Sequence, residues 1–303
     1  MGDGIRRGGM AWSSLPRVSA WRDAAASRGR TSRQCHRFAL ISYVSTVFDG
    51  WQSGTSILSW AEQIFNYCER GLDPSFWAEP VNAVSNGAFL LAAAAGAIAL
   101  SLATAKDRRP SVGEAGAIWL LIVIVAVIGI GSFLFHTYAT RWAMSADVAP
   151  ITAFMVAYLA YALRMFVGIP WPAIGLALVV FLYIGSMASS LTCADHQAVG
   201  ATVGAEPCLN GSLGYAPALA ALLIVGTISF RRDRRAGRRL LLAAGVFLVS
   251  MALRTVDQDI CDMTRLFGQS RGTHALWHLL NALTLYLLLM AAIDRERRRT
   301  WRW

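Results

Sequence analysis

The sequence is poor in charged residues. They make up 15% of its 303 residues, while hydrophobic residues make up 55%; charged residues average about 25% in soluble proteins. A soluble domain of this size would be less apolar than this chain, whose mean hydropathy is +0.45. The apolar residues fall into blocks of about twenty, the length that crosses a bilayer. The composition therefore predicts an integral membrane protein.

Acidic residues are scarcer than basic ones. The chain has 18 Asp and Glu against 28 Lys and Arg, a net charge of +10, and nearly all of the basic residues are arginine. Such an excess can indicate nucleic-acid binding, but these arginines lie in short clusters between apolar blocks. That pattern marks the cytoplasmic side of a membrane protein. We expect no nucleic-acid partner, and no segment indicates an obligate protein partner.

Seven apolar runs are long enough to cross about 30 Å of hydrocarbon, and in a bilayer they should be helices. The predicted fold is an all-α, polytopic membrane protein with a seven-transmembrane-helix bundle. Residues 1–35 show no periodicity, and we expect residues 1–53 to be a disordered or weakly ordered extension. Residues 54–293 are the predicted membrane domain and residues 294–303 a basic cytoplasmic tail. The predicted spans are 80–104, 115–138, 144–166, 172–191, 213–230, 239–256 and 273–293.

The basic clusters predict the orientation of the spans. They lie at 106–109 after span 1, at 231–239 after span 5 and at 295–302 after span 7. An even number of spans separates these clusters, so they share one side, which we assign to the cytoplasm. The C-terminus is then cytoplasmic and the N-terminus extracytoplasmic. Arginines in residues 1–37 favour the opposite orientation, but they lie far from the first span.

Cysteine is also rare, with five in the chain. Four of them fall in segments assigned to the outer side, where disulfides survive. Cys193 and Cys208 flank one loop and could pair. Cys68 and Cys261 could join the segment before span 1 to the loop before span 7. Free thiols are the alternative, and Cys35 is left over.

Three of the five histidines stand at span ends. His274 and His278 are four residues apart and share one helix face. His136 ends span 2 at the same outer mouth, so a topology derived from arginines alone brings the three together. Three histidines with an open fourth position are typical of a catalytic zinc site, whereas a structural zinc site would use cysteines, which these motifs lack. One histidine at a helix end is more often a packing residue.

Two further polar residues accompany these histidines. Ser132 lies one turn before His136 on the same face, and Asp147 begins span 3 at the same end. Ionisable groups inside membrane spans are costly and usually functional, so both are candidates for a catalytic centre. The alternatives are that Ser132 only helps helices to pack and that Asp147 only caps span 3.

An acidic segment, residues 66–80, precedes span 1. Asn66, Glu69, Asp73 and Glu79 supply hard oxygen ligands that suit calcium, although their spacing is not that of an EF-hand loop. A solvated acidic loop is the alternative. We also expect the acidic residues before span 7 to be solvated; these are Asp257, Asp259 and Asp262.

Five stretches together resemble one known family. They are Tyr67-Cys-Glu69, Trp77-Ala-Glu-Pro-Val-Asn-Ala-Val-Ser-Asn86, Gly131-Ser-Phe-Leu-Phe-His136, Met144-Ser-Ala-Asp147 and His274-Ala-Leu-Trp-His278. In order and spacing they resemble the alkaline ceramidase family, seven-span zinc amidases within a larger superfamily of membrane hydrolases. The resemblance covers about residues 60–293.

The resemblance implies metal ligands and catalytic residues. It implies zinc on His136, His274 and His278, with Ser132 and Asp147 in the catalytic centre. It also implies calcium near the first span, on Asn66, the Tyr67 carbonyl, Glu69, a residue around Gly71 to Asp73, and Glu79. Here the sequence departs from the family, because Asn66 replaces the usual aspartate and the loop to Glu79 is one residue short. A lost negative ligand should weaken calcium binding. A Cys68–Cys261 bridge also matches the family's pattern.

The expected function is hydrolysis of the amide bond of ceramide or a related N-acyl lipid, giving a sphingoid base and a free fatty acid. Two alternatives remain open at this point. One is a lipid-remodelling ester hydrolase with the same zinc centre. The other is a seven-span receptor or metal transporter. Spans 1, 4 and 5 are almost purely apolar, which argues against the wide aqueous path of a transporter.

Overall fold

Helices form nearly all of the described structure. The computed structural model describes residues 60–106, 112–193, 206–266 and 268–300, so the predicted extension, residues 1–53, lies outside the described residues. The helices are α1 (Pro80–Ser85), α2 (Gly87–Lys106), α3 (Val112–Tyr138), α4 (Arg141–Ala162), α5 (Trp171–Ser189), α6 (Ala216–Arg232), α7 (Arg234–Thr255) and α8 (His274–Thr300).

Short elements fill several of the connections. A π-helical turn, Leu163–Val167, extends α4, and 3-10 helices run over Cys208–Tyr215 and Cys261–Thr264. Two antiparallel pairs of two-residue strands complete the described elements. They are β1 (Thr192–Cys193) with β2 (Glu206–Pro207) and β3 (Arg265–Leu266) with β4 (Gln269–Ser270).

Seven helical segments within the described ranges are long and apolar enough to cross a membrane. Each overlaps one predicted span, so the prediction of an all-α, seven-span membrane protein is confirmed. Helices suit this role because all of their backbone hydrogen bonds close within the segment. The segments are Pro80–Thr104, Ala115–Tyr138, Arg141–Val167, Trp171–Ser189, Cys208–Arg232, Arg234–Thr255 and His274–Arg295.

The helix boundaries differ from the predicted spans in three places. The first span is divided at Asn86, which ends α1. α7 begins at Arg234, before the predicted 239, because the Asp233 carboxylate caps it by accepting from two backbone N–H groups. α8 continues to Thr300, so the predicted tail begins as helix. Apolar runs mark the hydrocarbon region, whereas helices extend beyond it.

α3 and α8 form the centre of the bundle. The most apolar windows of these two helices are 50% and 61% buried, against 6% for α5. α3 packs against α2 and α4, and α8 packs against α2 and α7. Their buried apolar side chains form one core, which includes Ile118, Leu121 and Val125 of α3, Leu285, Leu288 and Leu289 of α8, Tyr158 of α4 and Leu240 of α7.

Buried hydrogen bonds also join the central helices. The Tyr158 hydroxyl of α4 donates to the Leu288 carbonyl of α8 at 3.0 Å. The Ser250 hydroxyl of α7 donates to the Trp277 carbonyl of α8 at 3.1 Å. Such interhelical bonds are worth roughly 1 kcal/mol each in a membrane. These two bonds hold α4 and α7 against α8.

Gly131 sets the closest approach between α3 and α4. A Cβ atom at this position would lie 2.0 Å from the Ala146 carbonyl oxygen. Small residues let helix backbones come together in a membrane. The contact stands beside both Ser132 and Asp147, so the absent side chain of Gly131 brings these two candidate residues together.

Replacing Gly131 with alanine should therefore push α4 away from α3. We expect a loss of about 2 kcal/mol in stability, because the new methyl group meets backbone atoms that cannot rotate aside. Thermal unfolding of the purified protein in detergent measures it. Gly175→Ala on α5 is the matched control, since a Cβ there meets no atom within 4 Å and should be neutral or slightly stabilising. Equal unfolding temperatures for both variants would contradict the close approach.

Candidate metal centre and lipid cavity

Three histidines converge at one end of the bundle. His136 lies in the last turn of α3, His274 begins α8, and His278 follows one turn later. One ligand atom from each lies within 4.8 Å of the others, and all three side chains are buried. Apolar helices position them, because the 3.6-residue period of α8 places both of its histidines on the face that meets α3.

Two nitrogen atoms in this group have no hydrogen-bond partner. The Nε2 atom of His136 and the Nδ1 atom of His274 are both buried and unpaired. Buried polar side-chain atoms are normally hydrogen-bonded, so each unpaired one calls for an explanation. Neutral imidazole nitrogens are the commonest metal ligands in proteins, and ligand atoms of the three histidines lie within 4.8 Å of one another. The three histidines therefore fit a metal ion.

The outer nitrogens of two of the histidines have partners. His136 Nδ1 lies 2.5 Å from Glu79 Oε2, and His278 Nδ1 lies 2.7 Å from Ser85 Oγ. Such contacts fix the orientation of ligating histidines and raise their basicity. Glu79 and Ser85 stand at the two ends of the short helix α1, which sequence reasoning did not associate with the histidines. Only the docking of α1 against α3 and α8 brings them there.

Glu79 is almost fully buried. Burial raises the pKa of its carboxyl, but the neighbouring His136 ring and hydrogen bonds from His136, Arg70 and Asn82 outweigh that effect, so the net pKa is lowered. The sequence predicted this residue as a calcium ligand. In the structure its carboxylate contacts the candidate metal centre instead, through His136.

Tyr67 covers the histidines from the side of the preceding loop. Its ring centroid lies 3.9 Å from that of His274 and 5.0 Å from that of His136. Burial raises the pKa of the Tyr67 hydroxyl, although the nearby Arg254 opposes this effect. The neutral phenol thus closes one wall of the site.

Ser132 and Asp147 stand beside the histidines, from α3 and α4 respectively. The Ser132 hydroxyl is placed to hydrogen-bond the Asp147 carboxylate. The Oδ1 atom of Asp147 is buried and has no hydrogen-bond partner. Both side chains line a cavity that also reaches His278. The structure therefore brings all five residues predicted for the catalytic centre to one place.

The cavity is long and apolar. It contains about 900 Å³ of space free of protein atoms, including the part that is open to the surroundings. Along α4 it extends from Asp147 to Ala162, roughly 22 Å at the helical rise of 1.5 Å per residue. Most of its wall is hydrophobic, including Ile128, Ile151, Phe154, Leu159, Leu222, Val225, Phe247 and Leu288. Its shape and lining suit a long aliphatic chain.

Arg254 is a residue of this region that the sequence analysis missed. It lies near the end of α7 and donates to the Tyr67 hydroxyl at 3.4 Å. Its guanidinium also lies over the rings of Tyr215 and Trp277, at 5.7 and 5.5 Å from their centroids. An arginine inside an apolar run is itself the signal that could have found it. It places a positive charge beside the histidines.

Asp257 fixes the start of α8 and is not solvated as expected. It has no exposed surface, and its Oδ1 accepts from the backbone N–H groups of Thr273 and His274 at 2.6 and 2.9 Å. Burial raises the pKa of its carboxyl, against the opposing effect of its backbone hydrogen bonds. Gly272 permits the contact, since a Cβ there would lie 2.2 Å from Asp257 Oδ1.

Both cysteine pairs considered in the sequence form disulfides in the structure. Cys68 is joined to Cys261, with Cα atoms 5.5 Å apart, and Cys193 is joined to Cys208. The first bridge ties the segment before α1 to the loop before α8. This bridge therefore holds together two segments next to His274, at the histidine end of the bundle.

The residues predicted as calcium ligands do not gather around one point. The side chains of Asn66 and Asp73 are exposed. Glu69 is paired with Arg271 at 2.7 Å, Glu79 faces His136, and the Tyr67 carbonyl accepts from the Gly71 N–H at 3.1 Å. Within the described residues, the only group of three or more His, Cys, Asp or Glu side chains close enough to share a metal ion is the histidine group.

Comparison with known proteins agrees with this architecture. Residues 52–297 match the ceramidase family, a range that contains all seven spans, the three histidines and the cavity. No match is found among curated proteins. The matched range covers well over half of the chain. The family implies a hydrolase that acts on an amide bond of a membrane lipid. The chain belongs to the ceramidase family.

Proposed function

We propose that this protein hydrolyses the amide bond of ceramide or a closely related N-acyl lipid, with zinc as its metal. The products would be a sphingoid base and a free fatty acid. One observation carries the proposal: the three buried histidines lie close together, and one of them, His278, lines with Ser132 and Asp147 a cavity long enough for an acyl chain. A receptor would not need this combination of metal ligands, carboxylate and lipid cavity.

The proposed zinc ligands are His136, His274 and His278. Three imidazoles with a free fourth position are the donor set of catalytic zinc sites. Zinc supplies Lewis-acid chemistry there, since it polarises a carbonyl oxygen and lowers the pKa of a water molecule toward about 7. The contacts of His136 with Glu79 and of His278 with Ser85 hold the ligating rings in place.

Asp147 is the proposed general base and acid. Its unpaired Oδ1 faces the cavity next to the histidines, so it can take a proton from the attacking water. The new C–O bond forms as Asp147 takes this proton, and the same proton then passes to the amide nitrogen as the C–N bond breaks. The leaving amine departs neutral, and the acyl carbon keeps the new oxygen as a carboxyl group.

Ser132 is the proposed donor to the oxyanion. In the resting state its hydroxyl interacts with Asp147. Once Asp147 has taken a proton, that hydroxyl is free to donate to the negative oxygen that develops on the acyl carbon. A serine nucleophile is disfavoured, because His136 on the same helix face is engaged by Glu79 on one side and directed at the metal on the other.

The membrane orientation is also a proposal. The histidine end of the bundle carries both disulfides, which are stable outside the reducing cytoplasm. The opposite end carries the arginines of residues 231–239, as expected for the cytoplasmic side. We therefore place the catalytic end outside the cytoplasm, with the N-terminus on that side and the C-terminus in the cytoplasm.

Replacing Glu79 with glutamine should weaken zinc binding about 10- to 100-fold, the usual effect of losing an outer partner of a ligating histidine. Competition with a chromogenic chelator measures the zinc affinity of the purified protein. Glu62→Gln is the control, because Glu62 is 57% exposed and its carboxylate pairs with Arg141 and not with a histidine. Unchanged affinity in the Glu79 variant would show that the carboxylate does not support the metal.

Replacing Asp147 with asparagine should abolish amide hydrolysis while zinc stays bound, because the side chain keeps its shape and loses its basicity. His278→Ala should lose both zinc and activity. Turnover of an N-acyl sphingoid substrate and metal analysis measure activity and bound zinc on the same sample.

Loss of zinc from Asp147→Asn would make Asp147 a structural residue, and wild-type turnover by His278→Ala would disprove the proposed reaction. A matched ester substrate that is cleaved much faster than the amide would favour the remodelling hydrolase.

Replacing Leu159 with tryptophan should shorten the acyl chain that the protein accepts. Leu159 lines the cavity three turns beyond Asp147, so a larger side chain there blocks the deep part and leaves the catalytic end unchanged. The ratio of kcat/KM for long-chain over short-chain substrates should fall. Leu176→Trp on α5 is the control, since Leu176 is 67% exposed on the outer face of the bundle. An equal loss for all chain lengths would mean that the acyl chain lies elsewhere.

A further inference from the structure

Arg70 is a buried arginine within the segment predicted to hold calcium. Its side chain has no exposed surface. Its Nε donates to Glu79 Oε1 at 2.5 Å. Its Nη1 donates to the carbonyls of Asp73 and Ser75 at 3.1 and 3.0 Å. Its Nη2 donates to the carbonyls of His136 and Thr137 at 3.0 and 3.3 Å.

This set of contacts uses the whole guanidinium. An arginine side chain has five N–H donors, and the structure supplies an acceptor for each of them. The acceptors are one carboxylate and four backbone carbonyl oxygens arranged around a single positive charge. Carboxylates and backbone carbonyls are also the ligands that calcium takes in proteins. A side-chain cation therefore stands in a cradle that would suit a metal cation.

The two buried carboxylates of the segment are committed to other partners. Both oxygens of Glu79 are engaged, Oε1 by Arg70 and Oε2 by His136 and by the Asn82 amide at 3.1 Å. Glu69 is buried at 1% side-chain exposure and pairs with Arg271. Its oxygens also accept from the backbone N–H groups of Val81 and Asn82 at 3.0 and 2.8 Å. Two arginines thus balance the two buried carboxylates.

A calcium ion could enter this cradle only by displacing Arg70. The guanidinium would lose five hydrogen bonds and leave its buried position, while the ion would meet the nearby charge of Arg271. Breaking a buried and fully hydrogen-bonded ion pair is costly, and the ion would have to replace every contact that the guanidinium gives up. The cradle is therefore closed to an added cation by the chain itself.

Arg70 also acts on the metal centre through two routes. It holds the carboxylate of Glu79, whose other oxygen contacts the His136 ring. It also binds the backbone carbonyls of His136 and Thr137, at the end of α3, where helical carbonyls lack intrahelical partners. The positive charge is favourable at that end of the helix dipole. Both the ring and the backbone of His136 are thereby tied to one guanidinium.

We propose that Arg70 is a built-in replacement for calcium, so that this protein folds and functions without calcium, and that it is a positioning residue for His136. The first part stands on the contacts of Arg70 alone. The second part rests on the proposed role of His136 as a zinc ligand. The chain thus differs from what its family resemblance implied for the segment before the first span.

The first part is tested by calcium titration of the purified, zinc-loaded protein in calcium-depleted buffer. We expect no saturable calcium binding by calorimetry and no change in the unfolding temperature or in turnover when calcium is added. Saturable binding, or a rise in unfolding temperature with calcium, would overturn the proposal. Magnesium at the same concentration controls for ionic strength.

The second part is tested by the zinc affinity of Arg70→Met, which keeps the length of the side chain but removes its charge and donors. We expect a loss of about 10-fold or more, and partial recovery in Arg70→Lys, which restores the positive charge beside Glu79. Arg141→Met is the control, because Arg141 is 55% exposed and pairs with Glu62. Equal zinc affinity in wild type and Arg70→Met, or equal losses in the Met and Lys variants, would contradict the positioning role.

Failure of either part of this proposal can be distinguished from failure of the proposed function. If the wild-type protein binds no zinc, the proposed reaction and the positioning role fail, while the calcium titration still decides the first part. If Arg70→Met does not fold, the calcium titration of the wild type again decides, since it needs no variant.

Discussion

The buried carboxylate of Glu79 is the interaction on which the catalytic end of this protein depends. It joins Arg70, which belongs to the loop before α1, to His136 at the end of α3. A buried ion pair is stable only when the remaining donors and acceptors are also bonded. Here every guanidinium N–H has an acceptor, and Asn82 adds a third contact to the carboxylate. One interaction therefore couples the loop, α1 and α3 to the orientation of His136, a proposed metal ligand.

A second set of contacts fixes His274 and His278. Asp257 caps the start of α8 from within the protein, and the Cys68–Cys261 bridge holds its loop against the segment before α1. The approach is so close that Gly272 must lack a side chain. His274 is thereby held at the first position of α8, and the helical period carries His278 to the same face. Catalytic ligands on rigid elements keep their geometry more accurately than ligands on loops.

The cavity connects this polar end to the hydrocarbon-facing part of the bundle. Gly131 draws α3 against α4, so Ser132 and Asp147 meet beside the histidines and the apolar wall continues below them along α4 and α8. Packing in a membrane gains little from excluding lipid, so close backbone contact and buried hydrogen bonds determine such an arrangement. The result is a polar site, the proposed catalytic centre, at the mouth of a space suited to an aliphatic chain.

Much of this architecture was determined by the sequence alone. The length of each apolar run predicted seven spans, and the arginine clusters predicted that His136, His274 and His278 share one end, because both signals are local and additive along the chain. The tertiary structure decided the rest. Glu79 looked like a calcium ligand, and Arg70 carried no prediction, since nothing in their spacing records that α1 docks against α3. Their shared partner His136 is distant in the chain, so the pairing of these charged side chains became visible only in the folded protein.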